Sequence, residues 1–169
     1  MRKHRNKDIM LVAHSMGSIV AYDVLTCEVP EIKIHTFVTM GSPLGLPAVM
    51  KKICSEQQID FRKAKKVTTP ENIVTAWYNF ADLRDRVSMN YNLHDDYKRN
   101  AHGVQPQDFI VNNDYEFEGR KSYHKSYGYL RTPEFSEIVY GFLGQAKSGF
   151  FENLKFGLQR LFGGLTRSR

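Results

Sequence analysis

The residues of this 169-residue chain best suited to chemistry lie together in Ala13-His14-Ser15-Met16-Gly17. The spacing fits G-x-S-x-G, the pattern of a nucleophile elbow, a sharp strand-to-helix turn that lifts a serine above the C-terminal edge of a sheet. Alanine stands at the first glycine position, and it is still small enough for a turn that neighbouring chain must pass closely. Gly17 is expected to be permissive where the helix packs back. The amide of Met16, at the positive end of that helix, is expected to point to where an oxyanion would form.

A serine hydroxyl is a weak nucleophile until a base takes its proton, and the base needs a group to orient it. On such an elbow the chain order is serine, acid, histidine. The polar stretch 79–86 offers two acids, Asp82 and Asp85, and the later Ser122-Tyr123-His124-Lys125 offers a histidine in the right place. His94 and His102 are alternatives, but they read as solvated loop residues. His35 reads as structural, and His14 as a residue that shapes the pocket. Gly41-Ser42-Pro43-Leu44-Gly45 lacks the lysine of a phosphate loop, so Ser42 reads as a supporting residue.

These residues need elements to position them. The continuous apolar run 9–13 fits a strand buried on both faces, and 18–27 carries Ile19, Val20 and Val24 at helical spacing. A second strand is predicted over 34–40, a helix over 46–55 and a third strand over 73–78. The stretch 94–107 reads as an extended loop. Short strands over 109–111 and 115–117 flank the turn sequence Asn112-Asn113-Asp114, and Thr132-Pro133 opens a last helix. Strands alternating with helices imply an α/β fold with a mostly parallel sheet flanked by helices.

The run 8–24, Gly41-Ser42-Pro43, W-x-N-x-x-D-x-x-D-x-V from Trp77 to Val87, and H-x-x-Y from His124 to Tyr127 together resemble the lipase and esterase branch of the α/β-hydrolase superfamily. The resemblance covers about residues 8–145 and places the acid at Asp85 and the histidine at His124. It implies a catalytic Ser15, Asp85 and His124, an oxyanion donor at Met16, and pocket or supporting roles for His14, Gly17, Ser42 and Asp82. The implied reaction is hydrolysis of a small ester or lipid through an acyl-enzyme, with no cofactor and no metal. Members of the family begin with further strands before the elbow strand. The resemblance therefore implies a shortened fold lacking the first strands, half of the usual oxyanion hole, and an elbow strand with an open edge. A catalytically weak remnant acting as an interaction module is the rival expectation.

Length, charge and cysteine content bound the setting. The domain is expected over 1–147, with an amphipathic basic tail over 148–169 in which Phe150, Phe151, Leu154, Leu158, Leu161, Phe162 and Leu165 share a stripe. Homo-oligomerisation is expected through the open sheet edge or this C-terminal helix, and the tail is the candidate for a membrane surface. The net charge of +6 is scattered, with no nucleic-acid-binding motif, so no nucleic-acid partner is expected. Two cysteines make no disulfide framework and point to a cytoplasmic setting.

Overall fold

The computed structural model describes residues 7–29, 31–60, 63 and 66–144. The tail over 148–169 lies outside the described residues. Four strands make the central sheet: β1 (Met10–His14), β2 (Ile34–Met40), β4 (Ile73–Ala81) and β6 (Pro106–Ile110), in the order β1-β2-β4-β6. Every pairing among them is parallel. Between them lie α1 (Met16–Asp23), which runs on into a π-helical turn over Val24–Glu28, and α2 (Pro47–Glu56). A small pair joins β3 (Val67–Thr68) to β5 (Tyr97–Lys98), just after the single-turn α3 (Leu93–Asp96). The hairpin β7 (Glu116–Phe117) and β8 (Arg120–Lys121) precedes α4 (Ser126–Leu130). Residues 133–144 form a further helix, α5.

The apolar runs explain the sheet. β2 is almost wholly buried, and its two faces feed two separate cores. Ile34 and Phe37 join one core with Ile73, Trp77 and Leu44, while Val38 and Met40 join the other with Phe80, Val111 and Tyr129. Ile34 and Phe37 share a face despite their odd spacing because the register with β4 shifts between Ile34 and Thr36. Trp77 anchors the first core. Its ring lies 5.2 Å from Phe37 and 5.0 Å from Tyr97, and its indole N–H donates to Thr39 Oγ1 at 3.1 Å. On α2, Met50, Ile53 and Cys54 form the buried stripe, and Pro47 suits the first turn because it lacks an N–H that would go unbonded there.

Several sequence expectations shift. β4 continues through Asn79, Phe80 and Ala81, where a polar loop was expected. Asn79 belongs inside because its side chain is fully bonded: it accepts from Thr39 Oγ1 at 2.9 Å and donates to Asp108 Oδ1 at 2.8 Å and the Tyr91 carbonyl at 3.0 Å. The stretch 94–107 is not one loop, since it holds most of α3, β5 and the start of β6. Asn112-Asn113-Asp114 does not turn a hairpin. Phe109 and Ile110 belong to β6, which runs parallel to β4, and the true hairpin turns at Glu118 and Gly119, both at positive φ. The helix after Thr132 does form, and Thr132 Oγ1 accepts from the Phe135 amide as a cap.

Among the described residues β1 pairs with β2 alone and so lies at the sheet edge. No described helix is long and apolar enough to cross a membrane.

Asn79→Ala would leave the Thr39 hydroxyl, the Tyr91 carbonyl and Asp108 short of a partner. Urea denaturation should show a loss of about 2–3 kcal/mol. A loss below about 0.5 kcal/mol would contradict the role given to this network.

Candidate active site

The elbow is built by the end of β1 and the start of α1. Ser15 has φ 55° and ψ −133°, in a region that side chains with a Cβ rarely occupy. Holding a non-glycine residue there costs about 1–3 kcal/mol, so surrounding bonds must impose it. They do. The Ser15 amide donates to the Met40 carbonyl at 3.0 Å, and the Ser15 carbonyl accepts from the Ser18 amide at 2.9 Å and the Ser18 hydroxyl at 2.6 Å. Ser18 is buried and meets Ser42, with 2.7 Å between the hydroxyls. Ser42 also accepts from the Leu44 amide at 3.2 Å, so it ties the loop after β2 to the elbow helix. Gly17 differs from expectation. It is exposed, and a Cβ there would meet nothing within 4 Å, so close packing does not demand glycine. The positive φ falls on Ser15 instead.

The three side chains singled out for chemistry come together in one line. Ser15 Oγ lies 2.8 Å from His124 Nε2, and His124 Nδ1 lies 3.0 and 2.9 Å from the two oxygens of Asp85. A carboxylate only accepts, so Nδ1 carries the proton and Nε2 is left as the acceptor facing the serine. Asp85 is buried, and its other lone pairs are also filled. Oδ1 accepts from the Val87 amide at 2.9 Å, and Oδ2 accepts from the Tyr129 hydroxyl at 2.7 Å.

The sequence shows no role for Tyr129, and Gly41 figures in it only within the Gly41-Ser42-Pro43 segment. Tyr129 is fully buried, and its oxygen accepts from the Asp82 amide at 3.1 Å while its proton goes to Asp85. Burial first, then the Asp85 bond, push its phenol well above the ordinary tyrosine value, so it stays a donor. Gly41 has φ +51°, and a Cβ on it would stand 2.8 Å from Asp85 Oδ2 and 3.2 Å from His124 Nδ1. In the sequence the close approach is signalled by a glycine directly after the second strand, within Gly41-Ser42-Pro43.

Asp82 takes a different place. It accepts from the Arg84 amide at 2.9 Å, from Arg84 Nε at 2.8 Å, and from the Asn113 amide at 2.7 Å. Burial raises its carboxyl, but the Arg84 and Asn113 bonds outweigh that and hold it below the ordinary value. His14, the last residue of β1, donates from Nε2 to the His124 carbonyl at 2.6 Å, and the two rings lie 4.8 Å apart. Burial pulls its imidazole below the ordinary value, which keeps it neutral and a single donor. His35 pairs with Thr36 and packs edge-on against Phe142, and His94 bonds the Pro106 carbonyl.

Met16 opens α1 with an exposed side chain, and an amide at that position has no acceptor within the helix. The neighbouring amides of Ser15 and Gly41 are engaged by the carbonyls of Met40 and Phe80. The arrangement can therefore deprotonate a serine, carry the proton on an oriented imidazole, and offer one helix-start amide to a developing negative charge.

Residues 1–117 match the family model of the PGAP1-like alpha/beta domain, a lipase/esterase-type α/β-hydrolase-like family. The matched segment contains Ser15 and Asp85 and ends before His124 and Tyr129. No curated protein matches the chain, and no solved structure does.

Gly41→Ala should lower stability by about 2 kcal/mol in urea denaturation, through the left-handed backbone and the encroachment on Asp85. It should also shift the His124 imidazole resonances. An unchanged denaturation midpoint and unchanged His124 signals would contradict the close approach described.

Proposed function

The chain belongs to the PGAP1-like alpha/beta domain family, and on that premise we propose that it is a serine hydrolase that cleaves a carboxylic ester. The observation that carries this reading is the unbroken chain of hydrogen bonds from Ser15 Oγ through His124 to Asp85.

Ser15 Oγ attacks the ester carbonyl carbon as its proton passes to His124 Nε2. Asp85 holds the imidazole in the acceptor tautomer and stabilises the imidazolium that forms. The oxygen that takes up the negative charge faces the Met16 amide. Collapse of the tetrahedral species breaks the bond to the leaving alkoxide, which takes the proton back from His124. Water then attacks the acyl group on Ser15, His124 again carries the proton, and the carboxylic acid leaves.

An ester is favoured over an amide for a physical reason. Losing one oxyanion donor typically costs about 100- to 1,000-fold in rate. A site in which the Met16 amide is the one donor identified among the described residues is best matched to a substrate with a good leaving group. The same single donor favours the rival reading, an α/β-hydrolase-like module that binds without catalysing.

Hydrolysis of p-nitrophenyl esters separates the two. Ser15→Ala should fall to background, and Asp85→Asn should lose about 10,000-fold in kcat, or fall to background, by stabilising the wrong tautomer. Equal rates for the wild type and Ser15→Ala would reject the enzyme reading for these substrates.

A further inference from the structure

We infer that Asn113 is the positioning residue for His124, an inference that rests on the reading of His124 as the base. His124 sits in a connection between β8 and α4 and its side chain is one-third exposed, so no strand or helix fixes its imidazole. Its backbone is nevertheless held at three successive carbonyls. Asn113 Nδ2 donates to the Tyr123 carbonyl at 2.8 Å and to the Lys125 carbonyl at 2.9 Å, one on each side of His124. The carbonyl between them, that of His124 itself, accepts from His14.

Chemistry fixes the orientation of the Asn113 amide. Carbonyl oxygens only accept, so the NH2 group must face both of them and uses both of its hydrogens. Oδ1, on the other side, accepts from the Tyr115 amide at 3.2 Å. The side chain is wholly buried, and it has little room to swing away: a Cβ on Gly128 of α4 would fall 1.6 Å from Asn113 Oδ1.

Asn113 is itself anchored. Its backbone amide donates to Asp82, which is bound by Arg84, and the Arg84 guanidinium stands 4.0 Å over the ring of Tyr123. The acid that does not orient the imidazole thus holds the residue that holds the imidazole's backbone. The bridge runs from the loop after β4, through the loop after β6, to both neighbours of His124. Because the Ser15 hydroxyl can donate only to an imidazole nitrogen within hydrogen-bond reach, a displacement of about 1 Å in this backbone is enough to cost about 100-fold in reaction rate.

Asn100 supplies the control. It is also buried, and its Nδ2 also donates to two carbonyls, those of Pro70 and Ile73, yet neither belongs to the site. The test compares Asn113→Ala with Asn100→Ala in thermal unfolding and in labelling of Ser15 by a fluorophosphonate. Both should lose thermal stability. Asn113→Ala should label about 10- to 100-fold more slowly at saturating probe, with the half-saturating concentration changed by less than about threefold. Asn100→Ala should label at the wild-type rate. If the two variants label alike, the inference is overturned.

Should Asn113→Ala fail to fold, Asn113→Asp keeps the volume and the Oδ1 acceptor but turns the donor into a second acceptor. Wild-type labelling in that variant overturns the inference, and a loss of at least about tenfold supports it. If the wild type does not label, the proposed function falls by itself, and the positioning is read from the low-field Nδ1 proton resonance of His124. That signal should persist in Asn100→Ala and disappear in Asn113→Ala; its persistence in both overturns the inference.

Discussion

A carboxylate buried away from water is tolerated only if its oxygens are bonded, and Asp85 imposes that demand on everything around it. The Val87 amide, the Tyr129 hydroxyl and His124 Nδ1 meet it. Each donor brings a constraint. The Val87 bond curls the chain into a short 3-10 turn after Asp85. The Tyr129 bond fixes α4 against the end of β4, and the same hydroxyl pins the Asp82 amide. The His124 bond sets the tautomer that leaves an acceptor facing Ser15. The space for this cluster exists because residue 41 has no side chain.

The parallel sheet explains why these groups meet. Its strands all point the same way, so the loops after their C-terminal ends gather at one edge. Ser15 follows β1, Gly41 and Ser42 follow β2, Asp82 and Asp85 follow β4, and Asn113 follows β6. Each strand thus delivers one part, and the loop carrying His124 is drawn across them. The strained backbone at Ser15 is held by β2 through the Met40 carbonyl and by α1 through Ser18. Strain at the nucleophile and order in its neighbours are two sides of one arrangement.

Part of this was legible in the sequence. The strand 34–40 has matching bounds because a β-branched run buried on both faces carries a strong local signal. The pentapeptide around Ser15 and the serine, acid, histidine order are also local patterns, and the structure puts those side chains within hydrogen-bond distance. Asp82 and Asp85 could not be separated from composition alone. What separates them is long-range: one faces Arg84 and Asn113, the other His124 and Tyr129. β6 was obscured by Pro106 at its first residue and by polar Gln107 and Asp108, which break the apolar pattern of a sheet strand. Asn113 read as a turn residue because buried asparagines and turn asparagines look the same in a sequence. Gly17 read as a packing glycine from the pattern, yet its surroundings are open.

The hydrogen bond from Ser15 to an oriented His124 should leave Ser15 the activated hydroxyl of the chain. Mass mapping after exposure to a fluorophosphonate tests it without knowledge of the natural substrate. A single adduct per chain is expected, carried on the peptide that contains Ser15. Absence of any adduct, or an adduct on Ser18 or Ser42 in place of Ser15, would contradict it.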